Sequence, residues 1–123
     1  AFRDALRRGS ASDRALANTR FHEITGEMAG NIYLLPSFHR LLIDHARIGM
    51  TFYRPRDRRM ADNLTDASRQ HDAIIAAIRA GDEDAAARLA EDHWALSRGQ
   101  IEMFVMPDAL TLTLGPDLRP QSA

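Results

Sequence analysis

Three histidines, His22, His71 and His93, fall on apolar helical stripes in three different stretches of the chain, and Asn18 stands one turn before the first of them. At about 100° per residue, His71 lies near the middle of a stripe formed by Leu64, Ala67, Ile75 and Ile78, and His93 is placed the same way on its own stripe. Asn18 and His22 are four apart, so they stack on one helix face. Imidazole nitrogens suit zinc, nickel, cobalt, manganese or iron, and an amide oxygen can join them. Three such donors with Asn18 would leave positions open on an octahedral ion for water or a ligand carboxylate.

A single buried imidazole is commonly satisfied by a hydrogen bond and needs no ion. Three in one small core are harder to satisfy separately. Each left unpaired costs on the order of 1–3 kcal/mol, against a total domain stability of about 5–15 kcal/mol. One divalent ion would satisfy all three. His45 also lies on an apolar stripe and has three readings: it lines the pocket, it replaces Asn18 as a ligand, or it is a core histidine. His39 points the other way and reads as a solvated surface residue. Thr25 and Gln100 are, with His45, the candidate residues for lining a pocket beside the histidines.

Helices must carry these side chains. The segment from residue 1 to Arg8 reads as the last turns of a helix ended by Gly9-Ser10. A second helix is expected from Ser12 or Asp13 to Ala29, with Ala17, Phe21, Ile24 and Met28 in its stripe. A third spans Ile32 to Tyr53, with Leu34, Phe38, Leu41, Leu42, His45 and Phe52 inward and Pro36 tolerated near its first turn. A charged loop, Arg56 to Asp62, leads to a fourth helix that ends at Gly81. The fifth starts at the acidic run Asp82-Glu83-Asp84 and turns Ala86, Leu89, His93, Leu96, Gln100 and Phe104 inward. Pro107 marks its latest end. Leu110, Leu112 and Leu114 alternate with threonines in the tail, which reads as a short strand or an extended arm. The class is all-α, an antiparallel helical bundle.

Composition narrows the functional classes. The chain has 123 residues, enough for one core, with 16 basic and 17 acidic residues and a net charge of -1. That balance suggests neither a nucleic-acid groove nor attachment to an anionic membrane. Cysteine is absent, which removes disulfides and thiolate metal sites. No apolar run approaches a membrane span, and the first ten residues have no signal-peptide pattern, so the expectation is a soluble, cytoplasmic protein.

With these residues placed, the chain resembles the ligand-binding domain of GntR-superfamily transcription regulators, the FadR C-terminal type called FCD. The resemblance rests on Asn18-Thr19-Arg20-Phe21-His22, Gly30-Asn31, Gln70-His71-Asp72-Ala73-Ile74, Ala77 to Asp82 and Ala85 to His93. It implies an all-helical, homodimeric bundle that binds a small effector, often a carboxylate, over a divalent metal. Carried over by position, the ligands would be Asn18, His22, His71 and His93. Zinc is the first choice of metal, with nickel, manganese or cobalt as alternatives. The family more often has aspartate where Asn18 stands. Asparagine removes a negative charge, which weakens cation affinity and leaves the site more positive toward an anion.

The resemblance further implies a division into residues 1–106, an effector-binding and dimerisation domain truncated at its N-terminal side, and residues 107–123, a tail or arm. The family's usual first helix and its winged helix-turn-helix DNA-binding domain do not match any part of this chain, so operator DNA would be reached only through that missing domain. The expected function is effector sensing for a bacterial transcription regulator, with no catalysis and no membrane partner. The basic loop Arg54 to Arg59 reads first as a solvated charged loop and, as an alternative, could contribute an effector-clamping arginine. Two rivals are a metal-dependent enzyme, for which no base is evident, and a metal-free dimerisation bundle.

Overall fold

The computed structural model describes residues 2–105, with side chains through residue 102, as five helices. They are α1 (Phe2–Arg8), α2 (Ala11–Met28), α3 (Leu35–Gly49), α4 (Arg58–Ala80) and α5 (Glu83–Val105). No strand occurs among the described residues, and the all-α class is as expected. The tail at 107–123 and the side chain of Phe104 lie outside the described residues.

Local signals set the helix ends. Ser10 and Asp13 form a reciprocal capping box at the start of α2: the Ser10 hydroxyl accepts from the Asp13 backbone N–H, and the Asp13 carboxylate accepts from the Ser10 N–H at 2.7 Å. Those donors hold the Asp13 carboxyl below the usual carboxylate range, the Ser10 backbone bond being the largest cause. Asp57 caps α4 by accepting from Met60 N–H at 2.8 Å, so α4 begins at Arg58 and absorbs most of the expected charged loop. Gly81, at φ +69°, closes α4 in the left-handed conformation that favours glycine. The short link to Glu83 then makes α4 and α5 an antiparallel hairpin with the most extensive helix contact in the fold.

α3 is shorter than the sequence pattern suggests. It starts at Leu35 with Pro36 in its first turn, and ends at Gly49. The chain then turns tightly, with the Phe52 and Tyr53 N–H groups both donating to Gly49 O, and this turn drives both aromatic rings inside. α3 packs chiefly on α2, where the Phe38 ring occupies the space a side chain at Gly26 would need. One narrow line of α3 is therefore covered. Leu42 is buried and Phe38 half-buried, while Leu34 and Leu41, expected inward, are exposed.

The inward line of α2 is similarly rotated. Ala15 and Asn18 are buried and His22 half-buried, whereas Ile24 and Met28 from the expected stripe are exposed. Asn18 and His22 share the inside of α2 with Ala15, and Ala17 and Phe21 of the expected stripe flank them half-buried. On α4, Leu64, Ser68, His71, Ile74 and Ala77 are buried, and Ile75 and Ile78 lie at the rim. The apolar core gathers Phe2, Ala15, Tyr53 and Leu64, with Leu6, Ala17, Met50 and Ala67 against them. Arg14 fastens this corner by donating to the carbonyls of Ala5, Leu6 and Tyr53, which ties α1 and the turn after α3 to α2.

Candidate metal centre

α2, α4 and α5 bring His22, His71 and His93 together, with one ring nitrogen of each lying within 4.8 Å of the others. His71 Nε2 and His93 Nε2 are 3.1 Å apart. The rings pack closely: His22 lies nearly parallel to His93, with centroids 5.3 Å apart, and stands edge-on to His71 at 5.5 Å. Phe21 stacks flat on His71 at 3.9 Å, and Phe2 meets the same imidazole edge-on at 4.9 Å. The cluster is thus walled by aromatic rings from α1 and α2.

Burial governs the chemistry of the imidazoles. Desolvation is the leading cause that lowers His22 and His71 to about 3 and His93 to about 4, with neighbouring histidines adding to it. At neutral pH all three are neutral and carry a lone pair for a cation. His71 Nδ1 is buried without a hydrogen-bond partner, whereas His93 Nδ1 lies 2.8 Å from Gln70 Oε1.

The donor set fits a divalent ion. Two nitrogens held at about 2.0–2.1 Å from one ion stand roughly 3 Å apart when adjacent and at most about 4.2 Å when opposite. The His71–His93 spacing meets the first condition. A separation at the 4.8 Å limit would have to close by about 0.6 Å to reach that range.

Asn18 is buried on α2 and lines a small enclosed cavity together with His93, His45, Ser97 and Gln100. Phe2, Phe52, Tyr53, Leu64, Ala67 and Leu96 supply its apolar walls, and its free space suits about one water. None of these lining residues is a carboxylate. His45 reaches the cluster from α3, 5.9 Å from the His22 ring, and burial also lowers its pKa.

Other expected positions fall elsewhere. The Thr25 hydroxyl bonds back to the carbonyls of Phe21 and His22 on its own helix, and Thr25 is not among the cavity-lining residues. Arg54, Arg56, Arg58 and Arg59 are exposed and do not line the cavity. His39, expected in solvent, is half-buried, with Nε2 enclosed and unpaired. Its ring lies 6.4 Å from that of Phe38, which packs against α2 at Gly26. Sequence reasoning missed Phe2, Tyr53, Ser97 and Gln70. Ser97 was recoverable, since it follows His93 by one turn; the others depend on contacts between elements distant in sequence.

Fold and site together define an all-helical domain built around a buried, polar, histidine-rich centre. The sequence model of the FCD domain family matches residues 1–96, and the chain belongs to that family. FCD domains belong to transcription regulators. No curated protein and no solved structure matches the chain. No helix among the described residues is long and apolar enough to cross a membrane.

Proposed function

We propose that this chain is the effector-sensing, metal-containing domain of a bacterial GntR-family transcription regulator, and that its effector is a small carboxylate. The observation that carries the reading is the convergence of three neutral imidazoles from three helices in a member of the FCD family. His22, His71 and His93 would hold the ion, with the Asn18 side-chain oxygen beside them. A bound divalent ion supplies a Lewis-acid position for a carboxylate.

The chain's own residues do the rest. His45, Ser97 and Gln100 offer hydrogen-bonding groups along the cavity, and the absence of acidic groups from its lining removes repulsion toward an anion. Phe2 and Tyr53 exclude water and restrict the space. A ligand larger than water must displace one of these walls. Phe2 sits on α1, so its displacement would change how α1 rests on α4, where the exposed Arg3–Asp72 ion pair also joins the two helices. Ligand binding would thereby favour one arrangement of the domain over another.

Homodimerisation belongs to this reading. Leu34, at the cap of α3, and Leu41 and Ile48 within it recur at seven-residue spacing and are all exposed, which provides an apolar stripe suited to association. The protein would act in the cytoplasm and meet operator DNA through a separate winged helix-turn-helix domain. Thr25 would shape the pocket only through the α2 backbone.

The test begins with protein purified without a nickel column. Metal analysis should find a divalent ion, zinc foremost, and chelation should lower the melting temperature. A panel of small carboxylic acids should then raise that temperature without being consumed. Absence of metal, together with indifference to chelator, would remove the ion from the reading, and turnover of any acid would overturn the sensor assignment.

A further inference from the structure

Gln70 belongs to α4, one residue before His71, yet its side chain reaches across the hairpin to His93 on α5. Its Oε1 lies 2.8 Å from His93 Nδ1. An amide oxygen accepts only, so this bond requires the hydrogen of His93 to reside on Nδ1. His93 Nε2 then carries the lone pair, and it faces His71 Nε2 at 3.1 Å. The reverse amide orientation would place an N–H against Nδ1 and leave the proton on Nε2, the atom nearest the other imidazoles.

We propose that Gln70 is a positioning residue that fixes His93 as the Nδ1–H tautomer and directs its Nε2 lone pair into the histidine cluster. The tautomer of His71 follows from this assignment. If His93 Nε2 is an acceptor, the 3.1 Å contact needs a hydrogen on His71 Nε2, and the His71 Nδ1 atom is left without one. That is the atom buried with no partner. The two rings are therefore opposite tautomers in the metal-free protein, one held by Gln70 and the other following from it. A histidine ligand is commonly oriented through its second nitrogen in this way, and losing such a partner typically weakens metal binding about 10–100-fold. Only the consequences for zinc, in affinity and in the His71 tautomer, rest on the metal reading.

The test uses chain labelled with 15N at histidine, stripped of metal, with long-range proton–nitrogen NMR spectra reporting which ring nitrogen bears hydrogen. Wild type should show His93 protonated on Nδ1 and His71 on Nε2. Gln70→Leu should leave His93 mixed between tautomers, and Gln70→Glu, which keeps an acceptor in place, should restore Nδ1–H. Zinc titration should then give binding about 10–100-fold weaker for Gln70→Leu and no weaker for Gln70→Glu. Zinc should invert the His71 tautomer and leave that of His93 unchanged. A wild-type His93 protonated on Nε2, or an Nδ1–H tautomer that persists in Gln70→Leu, overturns the proposal. Spectra as expected in a protein that binds no zinc would support the role of Gln70 and overturn the metal reading instead.

Discussion

Acidification from pH 7 to pH 5 is expected to remove several kcal/mol of stability from the metal-free protein, because three imidazoles are buried in neutral form. Desolvation, reinforced by neighbouring histidines, holds His22 and His71 at about 3 and His93 at about 4, against 6.5 for an ordinary histidine. The unfolded chain therefore takes up protons at these sites below pH 6.5, while the folded chain does so only near its own lower values. Their stabilising contribution is present above pH 6.5 and is lost progressively as pH falls toward 3–4. At pH 5, each imidazole costs about 2 kcal/mol, and three taken independently cost about 6 kcal/mol. This sum is an upper bound, since local opening can hydrate the rings without global unfolding. It is nonetheless comparable to the roughly 5–15 kcal/mol that holds a domain folded. Urea melts followed by circular dichroism, in chelator at pH 7, 6 and 5, would give the slope of stability against pH. A slope between pH 6 and 5 that approaches three protons is expected. Stability that is flat, or that changes by less than one proton's worth of about 1.4 kcal/mol per pH unit, would refute the burial of the cluster as neutral groups.

Substitution at Asn18 tests whether it would join the proposed ion's ligands or only packs beside them. Asn18→Asp should tighten zinc binding and destabilise the metal-free protein, since it places a carboxylate at a buried position; unchanged zinc affinity by calorimetry would place Asn18 beyond reach of the ion. Gly26→Ala should cost about 1–3 kcal/mol in urea melts, because the new methyl would stand 2.2 Å from the Phe38 ring. The same change in a Phe38→Ala background should be neutral or stabilising, as alanine favours helix over glycine. Asp57→Ala should lose about 1 kcal/mol through the uncapped start of α4, a loss readable in the same melts.

Much of the scaffold was legible in the sequence because its punctuation is chemical. Gly81 and the acidic start of α5 mark the hairpin, and Gly9-Ser10 marks the break between α1 and α2. The inward placement of Asn18, His71 and His93 followed from helical spacing. Less legible was the rotation of each helix about its axis. On α2, hydropathy pointed to Phe21, Ile24 and Met28; Phe21 does turn onto His71, but Ile24 and Met28 are exposed and the line that contains Asn18 and His22 is covered. A pattern that equates inside with apolar is displaced when a polar centre occupies the inside. Exposure of Leu41 had a different cause: α3 has α2 as its chief neighbour, and one neighbour covers one line. Contacts such as Gln70 with His93, or Phe2 with His71, join elements whose pairing no local spacing reveals.

The α4–α5 hairpin gives the site an order of assembly. His71 and His93 lie on its two arms across one short turn, while His22 comes from an earlier helix with α3 intervening. Contacts near in sequence can close sooner than distant ones. A refolding chain would then present a two-point grip before the third donor arrives, and on the proposed metal reading an ion would be captured in stages, loosely and then firmly. Zinc supplied before refolding should speed the return of helicity; an unchanged rate would mean that the grip closes only with the finished fold.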